Sequence, residues 1–77
     1  MVRVSEILDL RGIPCPGNLP KMLLTLEDLN DGDILEVILD DIVALDCISE
    51  AILHEPNYKI LDSNIIGLNI HLFIKVY

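Results

Sequence analysis

Apolar and polar residues change period along this chain, and each change marks an element. Glu6 to Leu10 alternates, with Ile7 and Asp9 on one side and Leu8 and Leu10 on the other, which is the pattern of a half-buried strand. From Leu19 the period becomes helical. Leu19, Met22, Leu23, Leu26 and Leu29 form one stripe at i, i+3, i+4, i+7 and i+10. Asn18 stands where an N-cap belongs, and Pro20 is tolerated in the first turn, where its missing N–H had no intrahelical partner. Asn30-Asp31-Gly32-Asp33 supplies the turn that ends this helix. Ile34 to Leu39 alternates again, with Leu35, Val37 and Leu39 on one face and Ile34, Glu36 and Ile38 on the other. Asp40 or Asp41 caps a second helix running to about His54, with a stripe of Leu45, Ile48 and Ile52 flanked by Ala44 and Ala51. Glu55-Pro56-Asn57 stops it. A strand near Tyr58 to Leu61 follows, then a break over Asp62 to Gly67. The last segment alternates most clearly: Leu68, Ile70, Leu72, Ile74 and Val76 on one face, and Asn69, His71, Phe73, Lys75 and Tyr77 on the other.

The predicted order is β-α-β-α-β-β, in a single domain over residues 1–77. Two helices cannot cover both faces of four strands. The expected architecture is therefore α+β, a two-layer sandwich with both helices on one face of a mixed four-stranded sheet. Right-handed crossovers place both helices on the same side if the strand order permits.

Charge and composition limit the partners. The chain has 5 Lys+Arg against 13 Asp+Glu, a formal net charge of −8. Neutralising a nucleic-acid backbone needs clustered Lys and Arg, which this chain lacks. An anionic membrane surface would repel it. The chain is 52% hydrophobic, yet no uninterrupted apolar stretch reaches the roughly 18 residues of a membrane span. The opening residues, Met1-Val2-Arg3-Val4-Ser5-Glu6, lack the apolar middle and cleavage site of a signal peptide, so a soluble cytoplasmic domain is expected. Two lone cysteines, Cys15 and Cys47, do not read as a disulfide scaffold in such a chain. No Cys-x-x-Cys or paired histidine spacing marks a metal site, and neither metal nor organic cofactor is expected.

The segment with candidate chemistry is Arg11-Gly12-Ile13-Pro14-Cys15-Pro16-Gly17-Asn18-Leu19-Pro20-Lys21, which leads from a strand into a helix. Free N–H groups and the positive end of the dipole collect at a helix N-terminus. A cysteine there has its pKa lowered to about 3.5–7.5, which favours the nucleophilic thiolate. Pro14 and Pro16 restrict the backbone around Cys15, while Gly12 and Gly17 let it turn. Lys21 and Arg11 are candidate cations for stabilising a thiolate or a persulfide anion.

Leu8-Asp9-Leu10-Arg11-Gly12-Ile13-Pro14-Cys15-Pro16, with Lys21 six residues after the cysteine, resembles the start of the TusA-like (SirA/YedF) sulfur-carrier family. The resemblance continues through Asn30-Asp31-Gly32-Asp33 and Leu39-Asp40-Asp41 to the closing hairpin, nearly the whole chain. It implies a sulfur carrier in which Cys15 accepts a sulfane sulfur, holds it as a persulfide and relays it. The implied partners are a donor, such as a cysteine desulfurase or another persulfide donor, and a sulfur-accepting protein. The resemblance allows destinations in tRNA thiolation, molybdenum-cofactor formation or inorganic sulfur metabolism, and no residue separates these.

The family hallmark is Cys-Pro-x-Pro, and here Asn18 replaces the second proline. That departure supports an alternative, a diverged interaction module that keeps the fold and has lost transfer. Its expected docking surface is the helix-free sheet face, with Ile34, Ile38, His71, Phe73 and Tyr77. A third reading is a redox sensor in which Cys15 forms a mixed disulfide. Cys47, beside Ala44, Ile48 and Ala51, reads as a packed helical cysteine rather than a resolving thiol.

Overall fold

A computed structural model describes residues 4–77; Met1–Arg3, where the segment read for a leader begins, lie outside the described residues. The elements are β1 (Glu6–Asp9), α1 (Asn18–Glu27), β2 (Ile34–Leu39), α2 (Ile42–Leu53), β3 (Tyr58–Ile66) and β4 (Asn69–Val76). The sheet order is β1-β2-β4-β3, with β1 parallel to β2 and β4 antiparallel to both neighbours. The crossovers β1-α1-β2 and β2-α2-β3 thus step across the sheet in the same direction, and the handedness rule sends both helices to one face. The result is the expected two-layer α+β sandwich.

Alternation along the strands builds the core. Leu35, Val37 and Leu39 of β2 stand opposite Ile74, Leu72 and Ile70 of β4, and all six are buried. Met22 and Leu26 of α1 and Ala44, Ile48 and Ile52 of α2 close over them. Asp41 caps α2, its Oδ1 accepting from the Val43 N–H at 3.0 Å. Among the described residues, no helix is long and apolar enough to cross a membrane.

Two local expectations need correction. The break placed at Asp62 to Gly67 is instead the second half of β3, which runs on to Ile66. Pairing with β4 overrides the weak strand preference of Asp62-Ser63-Asn64. A bulge at Leu61 makes this possible. Tyr58 and Ile60 point toward the helices; the extra residue then shifts the phase, so Asp62 pairs beside Phe73 on the helix-free face. The turn is only Gly67-Leu68, with Gly67 at φ +63° as the first residue of a tight hairpin requires. Leu68, expected on the core face of the last strand, is therefore a turn residue and 92% exposed.

The second correction concerns Asn18. The N-cap of α1 is Gly17, with no side-chain capping bond, and Asn18 is the first helical residue. Asn18, Met22 and Leu26 follow one another at i, i+4 and i+8, and all three are buried. The core-facing stripe thus begins one turn earlier than the apolar residues alone indicate. Neither side-chain polar atom of Asn18 has a hydrogen-bond partner among the described residues. An unpaired buried amide costs about 1–3 kcal/mol. Asn18→Leu, similar in shape and apolar, is expected to stabilise the domain by about 1–2 kcal/mol in chemical denaturation. A loss of about 1 kcal/mol would instead indicate a lost cap.

Candidate functional site

Because β1 and β2 are parallel and β3 returns against β4, the ends of β1, β2 and β3 share one edge of the sheet. Three connections meet there: the cysteine loop after β1, the Asp40-Asp41 link into α2, and the Gly67-Leu68 turn.

The cysteine loop is fastened at its base. Leu10 is buried, and its N–H donates to the Ile38 carbonyl at 2.9 Å, one step beyond the end of β1. The chain then turns through Gly12 at φ +79°, a conformation that favours glycine. The Gly12 N–H donates to Asp40 Oδ2 at 3.1 Å, which ties the loop to the end of β2. Arg11 is held by Asp9: its Nε donates to Oδ1 at 2.9 Å, its Nη2 to Oδ2 at 2.7 Å, and its backbone N–H to Oδ1 at 3.0 Å. The Arg11 guanidinium is thus committed to a neighbour two residues back and braces the turn.

Hydrogen bonds from Arg11 hold the Asp9 carboxyl at about 2, below its ordinary 3.8. A lowered carboxyl pKa gives a contribution that is complete above about 4 and lost as the pH falls through about 2. In an NMR titration, the Asp9 carboxyl resonance is expected to move with a midpoint near 2. A midpoint at the ordinary value would show that Arg11 does not hold it.

Cys15 is exposed, between Pro14 and Pro16, and the Cys15–Pro16 peptide is cis. The start of α1 offers fewer free donors than a helix start usually does. The Asn18 N–H donates to the Pro14 carbonyl at 3.2 Å and the Leu19 N–H to the Pro16 carbonyl at 3.1 Å. Pro20 has no N–H, and the Gly17 N–H has no backbone acceptor among the described residues. Gly17 itself suits a close approach, since a Cβ there would meet the Pro14 carbonyl oxygen at 3.2 Å. Lys21 is exposed in the next turn, and its ammonium has no ion-pair partner among the described residues.

Cys47, read from sequence as a packed helical cysteine, is bonded to Cys15 in a disulfide, with Cα atoms 6.3 Å apart. The physical reason is the shared edge. Both helices begin at the ends of parallel strands, so the loop before α1 and the first turns of α2 lie side by side. Residues of both, Ile13, Pro14, Asp41 and Ala44 among them, line one small cavity of about 280 Å³. The bond is a single tether between loop and helix, which is why a cysteine count for disulfide frameworks did not reveal it. Parallel β1 and β2 were the available signal.

The structure also brings in Asp9 and Asp40, which sequence reasoning missed as site residues. With Arg11, Gly12, Leu68 and Asn69 they line a shallow depression of about 730 Å³ beside the loop. Among the described residues, no group of three or more His, Cys, Asp or Glu side chains is arranged to hold a metal ion.

Ile34, Ile38, His71 and Phe73 lie half-buried on the helix-free face, with Tyr77 exposed at its margin. The face is mixed in character. His71 Nδ1 and Glu36 Oε2 pair across β2 and β4 at 3.0 Å, and the Lys75 ammonium sits 5.0 Å from the centre of the Tyr77 ring.

Two comparisons with known proteins bear on the family. A protein of Archaeoglobus fulgidus named "Putative sulfur carrier protein" is 41% identical over 39 residues, 51% of this chain and 44% of that protein. The match therefore spans less than half of that relative's length. The family model described as Sulfurtransferase TusA matches residues 6–76, from the first residue of β1 to the last of β4. The matched range includes every element of the sandwich and the cysteine loop, and the chain belongs to the TusA family.

Proposed function

We propose that this protein is a sulfur carrier that holds a sulfane sulfur as a persulfide on Cys15 and relays it to a partner protein. The observation that carries the reading is an exposed cysteine on a fastened loop of a TusA-family domain. In the reduced chain, the Cys15 thiolate attacks the outer sulfur of a donor persulfide. The new bond makes Cys15–S–SH, and the donor cysteine leaves as a thiolate. An acceptor thiolate then attacks that outer sulfur, and the Cys15 thiolate leaves in turn. No redox equivalents are consumed in either step. Access and a stable leaving thiolate are what the protein must provide.

The supporting groups divide by position. Arg11, Asp9, Gly12 and Asp40 hold the base of the loop, and Pro14, Pro16, Gly17 and Asn18 set its path into α1. Lys21 is the cation proposed to favour the thiolate and the persulfide anion. Donor and acceptor, for example a cysteine desulfurase and a thiol-bearing protein, approach from the edge where Cys15 is exposed. Charge favours partners with a basic docking surface, given the net charge of −8. A reducing cytoplasm is the compartment in which Cys15 is available as a thiol.

Radiolabelled cysteine with a cysteine desulfurase tests the relay. Label is expected on the reduced chain and then on an added acceptor thiol. A chain that takes no label from a desulfurase or from polysulfide contradicts the proposal and favours an interaction module acting through the helix-free face.

A further inference from the structure

The disulfide joins the cysteine proposed to bear sulfur to one for which the relay has no use. Cys47 is half-buried in the second turn of α2, and the fold brings its Cα to 6.3 Å from that of Cys15. A relay needs Cys15 alone. A second thiol within bonding reach gives the persulfide a competing fate inside the same chain.

We infer that Cys47 is a resolving thiol that discharges the Cys15 persulfide as sulfide when no acceptor collects it. The inference rests on the reading of Cys15 as the persulfide-bearing residue. The Cys47 thiolate attacks the inner sulfur, Cys15 Sγ. The Cys15 Sγ–Cys47 Sγ bond forms, the bond to the outer sulfur breaks, and that sulfur leaves as hydrosulfide with the electron pair. The two cysteines are oxidised by two electrons, and the sulfane sulfur is reduced by two. Attack at the inner sulfur yields the bond present in this structure, whereas attack at the outer sulfur would only move the sulfane sulfur to Cys47. A dithiol reductant then restores both thiols and is itself oxidised to a disulfide. The chain thus turns over sulfane sulfur to sulfide at the expense of a dithiol, an activity distinct from transfer to a protein acceptor.

Cys15 is exposed, so donor and reductant reach it, while Cys47 is less open to solvent and better placed to react within the chain. Because attack is intramolecular, its rate should not depend on protein concentration.

The test uses the reduced chain under argon, loaded briefly with inorganic polysulfide and desalted, then followed by intact mass and sulfide assay. The natural chain is expected to lose its added sulfur and two hydrogens together, releasing one sulfide per chain at a concentration-independent rate. Cys47→Ser and Cys47→Ala are expected to keep the added sulfur at least about tenfold longer. Equal persistence of the persulfide in the natural chain and both variants overturns the resolving role and leaves the carrier reading standing. Failure of both Cys47 variants to take up sulfur at all, with folding confirmed by circular dichroism, overturns the carrier reading and this inference with it.

Discussion

Cys15→Ser is expected to take up no sulfur from a desulfurase or polysulfide while keeping the native fold. The magnitude is a loss to background, because a serine hydroxyl stays protonated at neutral pH whereas the thiolate is the attacking species. The fold should survive because Cys15 is exposed and contributes nothing to the core of Leu35, Val37, Ile48 and Ile74. The variant cannot form the bond to Cys47, so its proper reference is the natural chain under reducing conditions. Loading that persists undiminished in Cys15→Ser would move the sulfur to Cys47 and contradict the assignment.

Reduction of the Cys15–Cys47 bond is expected to have the largest effect on stability. The two residues are 32 apart in sequence, and tethering a loop of that length removes unfolded-state entropy worth about 3–4 kcal/mol in the chain-entropy model. Small domains start with only about 5–15 kcal/mol, so the change is a large fraction of the total. Thermal unfolding with and without a dithiol reductant should differ by more than about 10 °C. The reduced chain should nevertheless stay folded at room temperature, since its core does not depend on the bond. Identical midpoints, with thiol assays confirming that the bond had formed and then been reduced, would contradict the entropic account of the tether.

These two expectations pull in opposite directions functionally. The proposed relay requires the reduced, less stable chain, and the oxidised chain is the more robust one. Cys15 is the more exposed of the two cysteines, so its sulfur is the one open to attack by an external dithiol.

The strands and helices were legible because alternation and helical stripes mark which side of each element is buried. Leu35, Val37 and Leu39, and Ile70, Leu72, Ile74 and Val76, fall on the core face as their spacing indicates. β3 was half legible. A bulge at Leu61 breaks the period of two, and a strand half made of Asp62, Ser63 and Asn64 has no apolar signal of its own. Its existence depends on β4, a tertiary fact. Asn18 misled for a related reason: its residue type is that of a cap, but its helical phase with Met22 and Leu26 places it in the core.

For the site, the glycines, prolines and cysteine of the loop were readable as a local segment. What holds that loop was not, because its anchors come from elsewhere. Asp40 lies 28 residues from Gly12, and Cys47 lies 32 residues from Cys15. The Asp9-x-Arg11 pair was local enough to find. From sequence, however, Asp9 reads as the polar side of a strand and Arg11 as a cation aimed at the cysteine, whereas the two satisfy each other.

The central claim, that sulfane sulfur resides on Cys15, is tested most directly by locating the sulfur within the chain. Reduced Cys47→Ser protein, which keeps the persulfide from resolving, would be loaded by a cysteine desulfurase with cysteine, alkylated, digested and sequenced by tandem mass spectrometry. The account predicts one added sulfur on the peptide that contains Cys15. A folded protein whose Cys15 peptide stays unmodified, with that thiol alkylating no faster than free cysteine, would contradict it.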